Sequence, residues 1–184
     1  MHFTLADLIT DITQNASEAG ADLVELEVTE GGKEFRFLVK DNGKGMTKEE
    51  LGRAVDPFVT DGIKHPHRKV GLGIPFLIQT AEQSGGGWDV QSEKGKGTMA
   101  TAWFDTGNVD TPPIGDLPGM FRTILMFNGP ADILIRRTLT REDGKETKYE
   151  VRKSELAEAL GDLEDATSLI LLDKYLRSLE DDEE

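Results

Sequence analysis

The chain has 184 residues, of which 37% are hydrophobic and 30% are charged, so it can bury a core without disulfides or metals. It contains no cysteine, which excludes disulfide bonds, a thiol nucleophile and Cys-ligated metal sites. Its 35 acidic and 21 basic residues give a net charge of −14, which disfavours nucleic acid and anionic membranes as partners. No apolar stretch approaches the roughly 18 residues of a membrane helix, and no secretory signal begins the chain. We therefore expect a cytoplasmic protein.

The N-terminal part of the chain predicts a helix and a β-hairpin. Apolar residues recur at helical spacing from Thr4 to Ala19, with Thr4 as N-cap and Asp7 as its partner. Two runs with alternating apolar residues, Asp22–Thr29 and Glu34–Lys40, predict strands joined by a glycine turn.

The middle of the chain alternates glycine-rich turns with short elements. The first turn spans Asp41–Met46 directly after the second strand, and residues 58–70 show no clear periodicity. The elements predicted here are two helices and a second hairpin, at about Thr47–Val55, Pro75–Gln83, Trp88–Ser92 and Thr98–Phe104.

A stretch rich in proline, glycine and aspartate predicts a boundary near residues 105–119. We therefore divide the chain into a module at 1–108, a linker at 109–119 and a C-terminal segment at 120–184, which either extends the sheet or forms a small appendage. The C-terminal segment predicts three strands and two helices, at Phe121–Phe127, Asp132–Leu139, Thr147–Val151, Ser154–Leu160 and Leu163–Leu179.

Asp11 and Asn15 are the first residues that suggest chemistry. Their i,i+4 spacing places them one above the other on the predicted helix, at the edge of its apolar stripe. An asparagine oxygen can bind Mg²⁺, and a carboxylate one turn away can orient a water or accept a proton. Two solvent-facing helix residues would give the same pattern.

Three glycine-rich segments are also open to two interpretations. Asp41-x-Gly43-x-Gly45 can place a carboxylate beside a planar ring, or it can be an ordinary turn. Gly71-Leu72-Gly73 at the start of a helix favours phosphate, although a lone G-x-G is weak support. Gly95-x-Gly97-Thr98 precedes an apolar strand and can be a simple hairpin turn.

In order and spacing, these segments together resemble the GHKL ATPase superfamily, which includes DNA gyrase, the Hsp90 chaperones, histidine kinases and the mismatch-repair protein MutL. The segments that carry the resemblance are, in chain order, Asp11–Ala16, Asp41-x-Gly43-x-Gly45, Asp56–Thr60, Gly71–Ile74, and Gly95–Thr98 followed by Phe104. The resemblance implies the Bergerat fold, an α/β two-layer sandwich whose mixed, largely antiparallel sheet carries helices on one face.

The resemblance also implies ATP and Mg²⁺ as ligands. By position, Asp11 would be the catalytic residue, Asn15 the Mg²⁺ ligand and Asp41 the partner of the adenine amine. The other residues that would contact the nucleotide are Gly43, Gly45, Met46, Phe58, Thr60, Lys64, Lys69, Gly71, Leu72, Gly73 and Thr98. Lys64 and Lys69 belong to a basic segment at about Asp61–Val70, which is either a lid over the phosphates or a solvated loop.

Two departures from the family pattern bear on function. Hydrolytic members usually carry Glu where this chain has Asp11, which is one methylene shorter. None of the histidines, His2, His65 and His67, lies on a predicted long helix, so we do not expect self-phosphorylation on histidine.

The chain is most similar in size to the bacterial anti-sigma-factor serine kinases. Two functions remain open: an enzyme that transfers the γ-phosphoryl group to a protein or to water, and a non-catalytic, ATP-gated module that binds a protein partner.

Overall fold

The computed structural model describes residues 3–56 and 73–181. These residues form six helices and six strands. In chain order, the elements are α1 Leu5–Glu18, β1 Leu23–Gly31, β2 Glu34–Asp41, α2 Lys48–Val55, α3 Gly73–Gln83, β3 Gly87–Glu93, β4 Gly97–Asp105, α4 Leu117–Leu125, β5 Asp132–Thr140, β6 Glu146–Arg152, α5 Lys153–Leu160 and α6 Ala166–Glu180.

The strands form one mixed sheet in the order β3-β4-β2-β1-β5-β6. The pairing of β1 with β5 is parallel, and the other four pairings are antiparallel. The expected α/β sandwich with a largely antiparallel sheet is therefore confirmed.

One face of the sheet forms the core because apolar residues alternate along the strands. In β1, Val24, Leu26 and Val28 are fully buried beneath the helices. The intervening Glu25 and Glu27 lie on the opposite face, where they accept hydrogen bonds from the Arg136 guanidinium. The face of the sheet opposite the core therefore carries ion pairs near the surface, and such pairs contribute little stability.

Helix α1 begins as the sequence predicts. The Thr4 hydroxyl accepts a hydrogen bond from the Asp7 backbone N–H at 3.1 Å, and the Asp7 carboxylate accepts one from the Thr4 N–H at 3.0 Å. Thr47 and Glu50 form the same reciprocal pair at the start of α2. Each such N-cap typically stabilises a helix by about 1 kcal/mol.

The strand predicted at Phe121–Phe127 is wrong, because these residues belong to helix α4 and the turn after it. A short apolar run does not distinguish a strand from a buried helix by periodicity alone. The deciding signals lie before the run: Asp116 caps the helix, and Pro118 occupies its first turn. The buried residues of α4 then recur at helical spacing: Leu117, Met120, Phe121, Ile124 and Leu125.

The last helix begins later than predicted. Leu163 is buried in the loop before α6, and the helix starts after Asp165. The apolar pattern places Leu163 in the helix because it does not distinguish a buried helical residue from one that packs from a loop.

The C-terminal segment extends the sheet, since β5 pairs with β1 along eight residue pairs. The stretch predicted as a linker docks onto α1: the Pro113 and Ile114 carbonyls accept hydrogen bonds from the first N–H groups of that helix, each at 2.9 Å. On β5, the buried Arg137 guanidinium donates a hydrogen bond to the Glu180 carboxylate. This bond anchors the C-terminal end of α6 to the sheet. The division of the chain at 109–119 stays a prediction.

Within residues 3–56 and 73–181, none of the helices combines the length and the apolar character needed to cross a membrane.

Candidate functional site

A pocket that opens to solvent, with a cavity volume of about 100 Å³, lies between the sheet and helices α1, α2 and α3. The residues that line it are Ile12, Asn15, Ala16, Ala19, Val39, Asp41, Lys44, Gly45, Met46, Ala54, Ile74, Thr98 and Ala100. Most of these side chains are apolar, so its few polar groups would decide which ligand fits.

Asp41 is the buried polar group of this pocket. It ends β2, pairs across the sheet with Thr98 of β4, and is only 7% exposed. Its Oδ1 accepts a hydrogen bond from the Gly43 backbone N–H at 2.8 Å. Burial raises the pKa of the Asp41 carboxyl, and hydrogen bonds from the Gly43 and Thr98 backbone N–H groups partly offset that rise. The hydrogen bonds fix the position of the Asp41 carboxylate, and its burial disfavours the charged form.

The turn after Asp41 is held by hydrogen bonds on both sides. The Asn42 side-chain oxygen accepts from the Asp22 and Leu23 backbone N–H groups at 2.9 and 3.0 Å, which ties the turn to the start of β1. Gly45 has a φ of +63°, and a Cβ there would overlap the Glu93 carbonyl. A glycine is therefore required where the turn crosses the β3–β4 hairpin.

Asn15 projects from α1 toward the start of α3. It lines the pocket, and a Cβ added at Gly73 would lie 2.8 Å from its amide nitrogen. The absence of a side chain at Gly73 thus leaves the space that the Asn15 amide occupies. Asp11 lies one helical turn earlier on α1 and is exposed to solvent.

The structure brings together only some of the residues that the sequence nominated. Asn15, Asp41, Gly45, Met46 and Thr98 line one pocket. Two others support its walls, since Gly43 binds the Asp41 carboxylate and Gly73 packs on Asn15. Asp11 is on the same helix but not among the lining residues. Six nominated residues fall outside the described parts of the chain: Phe58, Thr60, Lys64, Lys69, Gly71 and Leu72. The segment 61–70 also falls outside them.

Sequence reasoning missed the apolar walls of the pocket. Val39 and Ala100 line it on the paired strands β2 and β4, each two residues from a nominated polar residue. Because side chains alternate along a strand, the i±2 neighbours of Asp41 and Thr98 share their face, and this period could have identified them. Sequence reasoning also missed Ser92, whose hydroxyl lies 2.8 Å from Thr98 Oγ1.

Among the residues that the structure describes, no three His, Asp or Glu side chains converge as a metal site. A divalent ion held by one Asn15 oxygen and by ligand phosphates needs no such cluster, since Mg²⁺ commonly keeps several waters.

Comparison with known proteins decides the family. Residues 3–108, more than half of the chain, match the family described as histidine kinase-, DNA gyrase B-, and HSP90-like ATPase. The chain belongs to this ATPase family. Its membership in the histidine kinase-, DNA gyrase B- and HSP90-like ATPases supports ATP binding and hydrolysis, and the resemblance found in the sequence is confirmed. The match stops before α4, so the C-terminal elements lie outside the family region.

Individual relatives come from two groups within this ATPase family. DNA mismatch repair protein MutL of Thermus aquaticus is 39% identical over 71 residues, which cover 39% of this chain and 13% of that protein. Sensor histidine kinase ZraS of Escherichia coli K12 is 26% identical over 113 residues, 60% of this chain and 23% of the kinase. MutL of Kosmotoga olearia is 42% identical over 57 residues, 31% of this chain and 9% of that protein. The chain thus spans less than a quarter of the length of each relative.

Proposed function

We propose that this protein binds ATP with Mg²⁺ in the pocket between α1 and the sheet, and transfers the γ-phosphoryl group to a protein or to water. The observation that carries the proposal is the buried Asp41 carboxylate, which stands among apolar walls in a pocket of an ATPase family member.

The polarity of the pocket suits adenine. Adenine is a flat, largely apolar ring whose amino group donates hydrogen bonds, and an ionised carboxylate only accepts them. Val39, Ala100 and Ile74 supply apolar surface around Asp41. A guanine ring presents a carbonyl where adenine carries its amine, so that oxygen would meet the Asp41 carboxylate with no hydrogen between them.

Asn15 and Asp11 suit the phosphate side of the same ligand. The Asn15 amide oxygen is a hard donor of the type that Mg²⁺ takes. Asp11 lies one turn away and would accept the proton of the attacking hydroxyl or water. In that step the bond between the γ-phosphorus and the bridging oxygen of ADP breaks, a bond to the attacking oxygen forms, and ADP leaves.

The phosphate acceptor, if it is not water, is a protein in this proposal. The net charge of −14 repels a nucleic-acid backbone, which makes DNA a poor partner for the isolated chain. The mismatch-repair role named for MutL belongs to a much longer protein, of which this chain covers a small part.

The experiment that tests the proposal follows ADP release from ATP and Mg²⁺, with and without fractions of a cell lysate. Turnover by the protein alone supports an ATPase. Turnover that requires a fraction points to a kinase or to a partner-stimulated ATPase, and radiolabel on a protein in that fraction identifies the kinase. Binding without any turnover contradicts the catalytic proposal and supports an ATP-gated interaction module.

We expect Asn15→Ala to remove most of the Mg²⁺ dependence of ATP binding while leaving the fold intact. Asn15 lies at the edge of the apolar stripe of α1 and is only partly buried, so truncation leaves little cavity. Loss of even an outer-shell partner costs about 10–100-fold in metal affinity, so loss of a direct ligand should cost at least about tenfold. Calorimetric titration of ATP with and without Mg²⁺ measures the effect.

Two further variants frame this result. Gln14→Ala removes the neighbouring amide, which does not line the pocket, and should leave the Mg²⁺ dependence unchanged. Gly73→Ala should mimic Asn15→Ala, because its Cβ would displace the Asn15 amide. If Asn15→Ala lowers the melting temperature of the ligand-free protein strongly, Asn15 is a structural residue and its assignment as a ligand is wrong.

A further inference from the structure

Ser92 connects three parts of the pocket rim through a single hydroxyl group. It lies on β3 directly opposite Thr98 of β4. Its Oγ accepts a hydrogen bond from the Met46 backbone N–H at 2.8 Å, donates to the Gly97 carbonyl at 3.1 Å and lies 2.8 Å from Thr98 Oγ1. Ser92 does not line the pocket itself, whereas Met46 and Thr98 do.

The hydrogen atoms available decide the direction of the bond between the two hydroxyls. A serine hydroxyl has one hydrogen to donate and two lone pairs that accept. The Met46 N–H uses one lone pair of Ser92, and the Gly97 carbonyl takes its hydrogen. All three contacts are hydrogen bonds only if the remaining lone pair of Ser92 accepts the hydrogen of Thr98. If Ser92 instead donated to Thr98, the Gly97 carbonyl would lose its hydrogen bond from Ser92.

We propose that Ser92 is a positioning residue that sets the base specificity of the pocket by holding the Thr98 hydroxyl as a hydrogen-bond acceptor. With its hydrogen directed at Ser92, Thr98 offers only lone pairs to a ligand. The Asp41 carboxylate in the same pocket also only accepts. Two acceptors match an amino group on the base and disfavour a carbonyl in its place. This inference rests on the proposed function, that the ligand is ATP.

The test compares ATP with inosine triphosphate, which carries a carbonyl at the position of the adenine amine. In Ser92→Ala the Thr98 hydroxyl is free to rotate and to donate to that carbonyl. We expect the ratio of the ATP and inosine triphosphate affinities to fall about two- to tenfold, the range of one neutral hydrogen bond. Ser92→Cys keeps the size of the side chain with a much weaker hydrogen-bonding group, and should lower the ratio in the same direction.

A double-mutant cycle with Thr98→Val separates this role from a structural one. In the Thr98→Val background there is no hydroxyl to orient, so adding Ser92→Ala should leave the ratio unchanged. Ser92→Thr retains a hydroxyl and should therefore keep the wild-type ratio of the ATP and inosine triphosphate affinities. If Ser92→Ala instead weakens both nucleotides by the same factor, Ser92 only supports the backbone at Met46, and the inference is wrong.

The outcomes also separate this inference from the proposed function. Wild-type protein that binds neither nucleotide contradicts the proposed function, and the role of Ser92 falls with it. Wild-type protein that prefers ATP, together with an unaltered ratio in Ser92→Ala and Ser92→Cys, contradicts the role of Ser92 alone.

Discussion

Asp11→Asn is expected to abolish phosphoryl transfer or hydrolysis while leaving ATP affinity within about twofold. Asp11 lies one helical turn before Asn15 on α1, which places it toward the proposed phosphate end rather than beside Asp41. A group that positions the nucleophile and accepts its proton lowers the barrier without adding to ground-state binding. General-base catalysis contributes about 10²–10⁴-fold, so turnover should fall by that factor.

The measurement is ADP release at saturating ATP, with affinity measured separately by calorimetry. Glu18→Gln is the matched control, because it neutralises another exposed carboxylate on the same helix that does not line the pocket. Since aspartate is shorter than the glutamate of hydrolytic relatives, we expect basal turnover well below about 1 s⁻¹. Unchanged turnover in Asp11→Asn would remove Asp11 from the mechanism and favour the non-catalytic module.

Asp41→Asn is expected to weaken ATP binding by roughly 10- to 150-fold, which corresponds to the loss of a charged hydrogen bond worth about 1.5–3 kcal/mol. The Gly43 and Thr98 backbone N–H groups both donate to the carboxyl group. The Gly43 N–H, which donates to Oδ1 in the wild type, would hold the oxygen of the new amide, and its NH₂ group would then face the adenine amine. The NH₂ group of the new amide and the adenine amine are both donors, so the hydrogen bond that the Asp41 carboxylate accepts would be lost.

The same substitution should not destabilise the ligand-free protein. Burial raises the folded-state pKa of Asp41 above its ordinary value of 3.8. The stability that the protonated carboxyl contributes is therefore full below 3.8 and is lost as pH rises through the folded-state pKa. Above the folded-state pKa the wild type carries the cost of a buried charge, and Asp41→Asn does not.

Thermal unfolding with and without ATP tests both parts of this expectation. Asp41→Asn should melt no lower than wild type at neutral pH without ligand, yet gain less stability from ATP. Asp89→Asn on the edge strand β3 is the control, since Asp89 is exposed and lies outside the pocket. A large loss of ligand-free stability in Asp41→Asn would mark Asp41 as a structural residue.

The sequence predicts the local parts of this site well, because they depend on short spacings. Asp41, Gly43 and Gly45 lie within five residues, and the geometry of one turn determines their relation. The reciprocal N-cap that the sequence predicts between Thr4 and Asp7 is equally local, and it is present in the structure. The pocket forms where such a turn meets α1, and the family resemblance rather than periodicity predicted that meeting.

The features that the sequence did not predict depend on contacts between distant segments. The alignment of Ser92 with Thr98 follows from the register of the β3–β4 hairpin, which no motif specifies. The parallel pairing of β5 with β1 joins segments that are about a hundred residues apart, and α4 lies between them in the chain. Because α4 was predicted as a strand, the extension of the sheet could not be told from a separate appendage.

We infer that the pocket around Asp41 is an adenine site. Calorimetric titration of the wild-type protein with ATP and with GTP, both with Mg²⁺, tests it most directly. We expect ATP to bind and GTP to bind at least about tenfold more weakly, because the guanine carbonyl would meet the acceptors of Asp41 and Thr98. Equal affinities for the two nucleotides would contradict it.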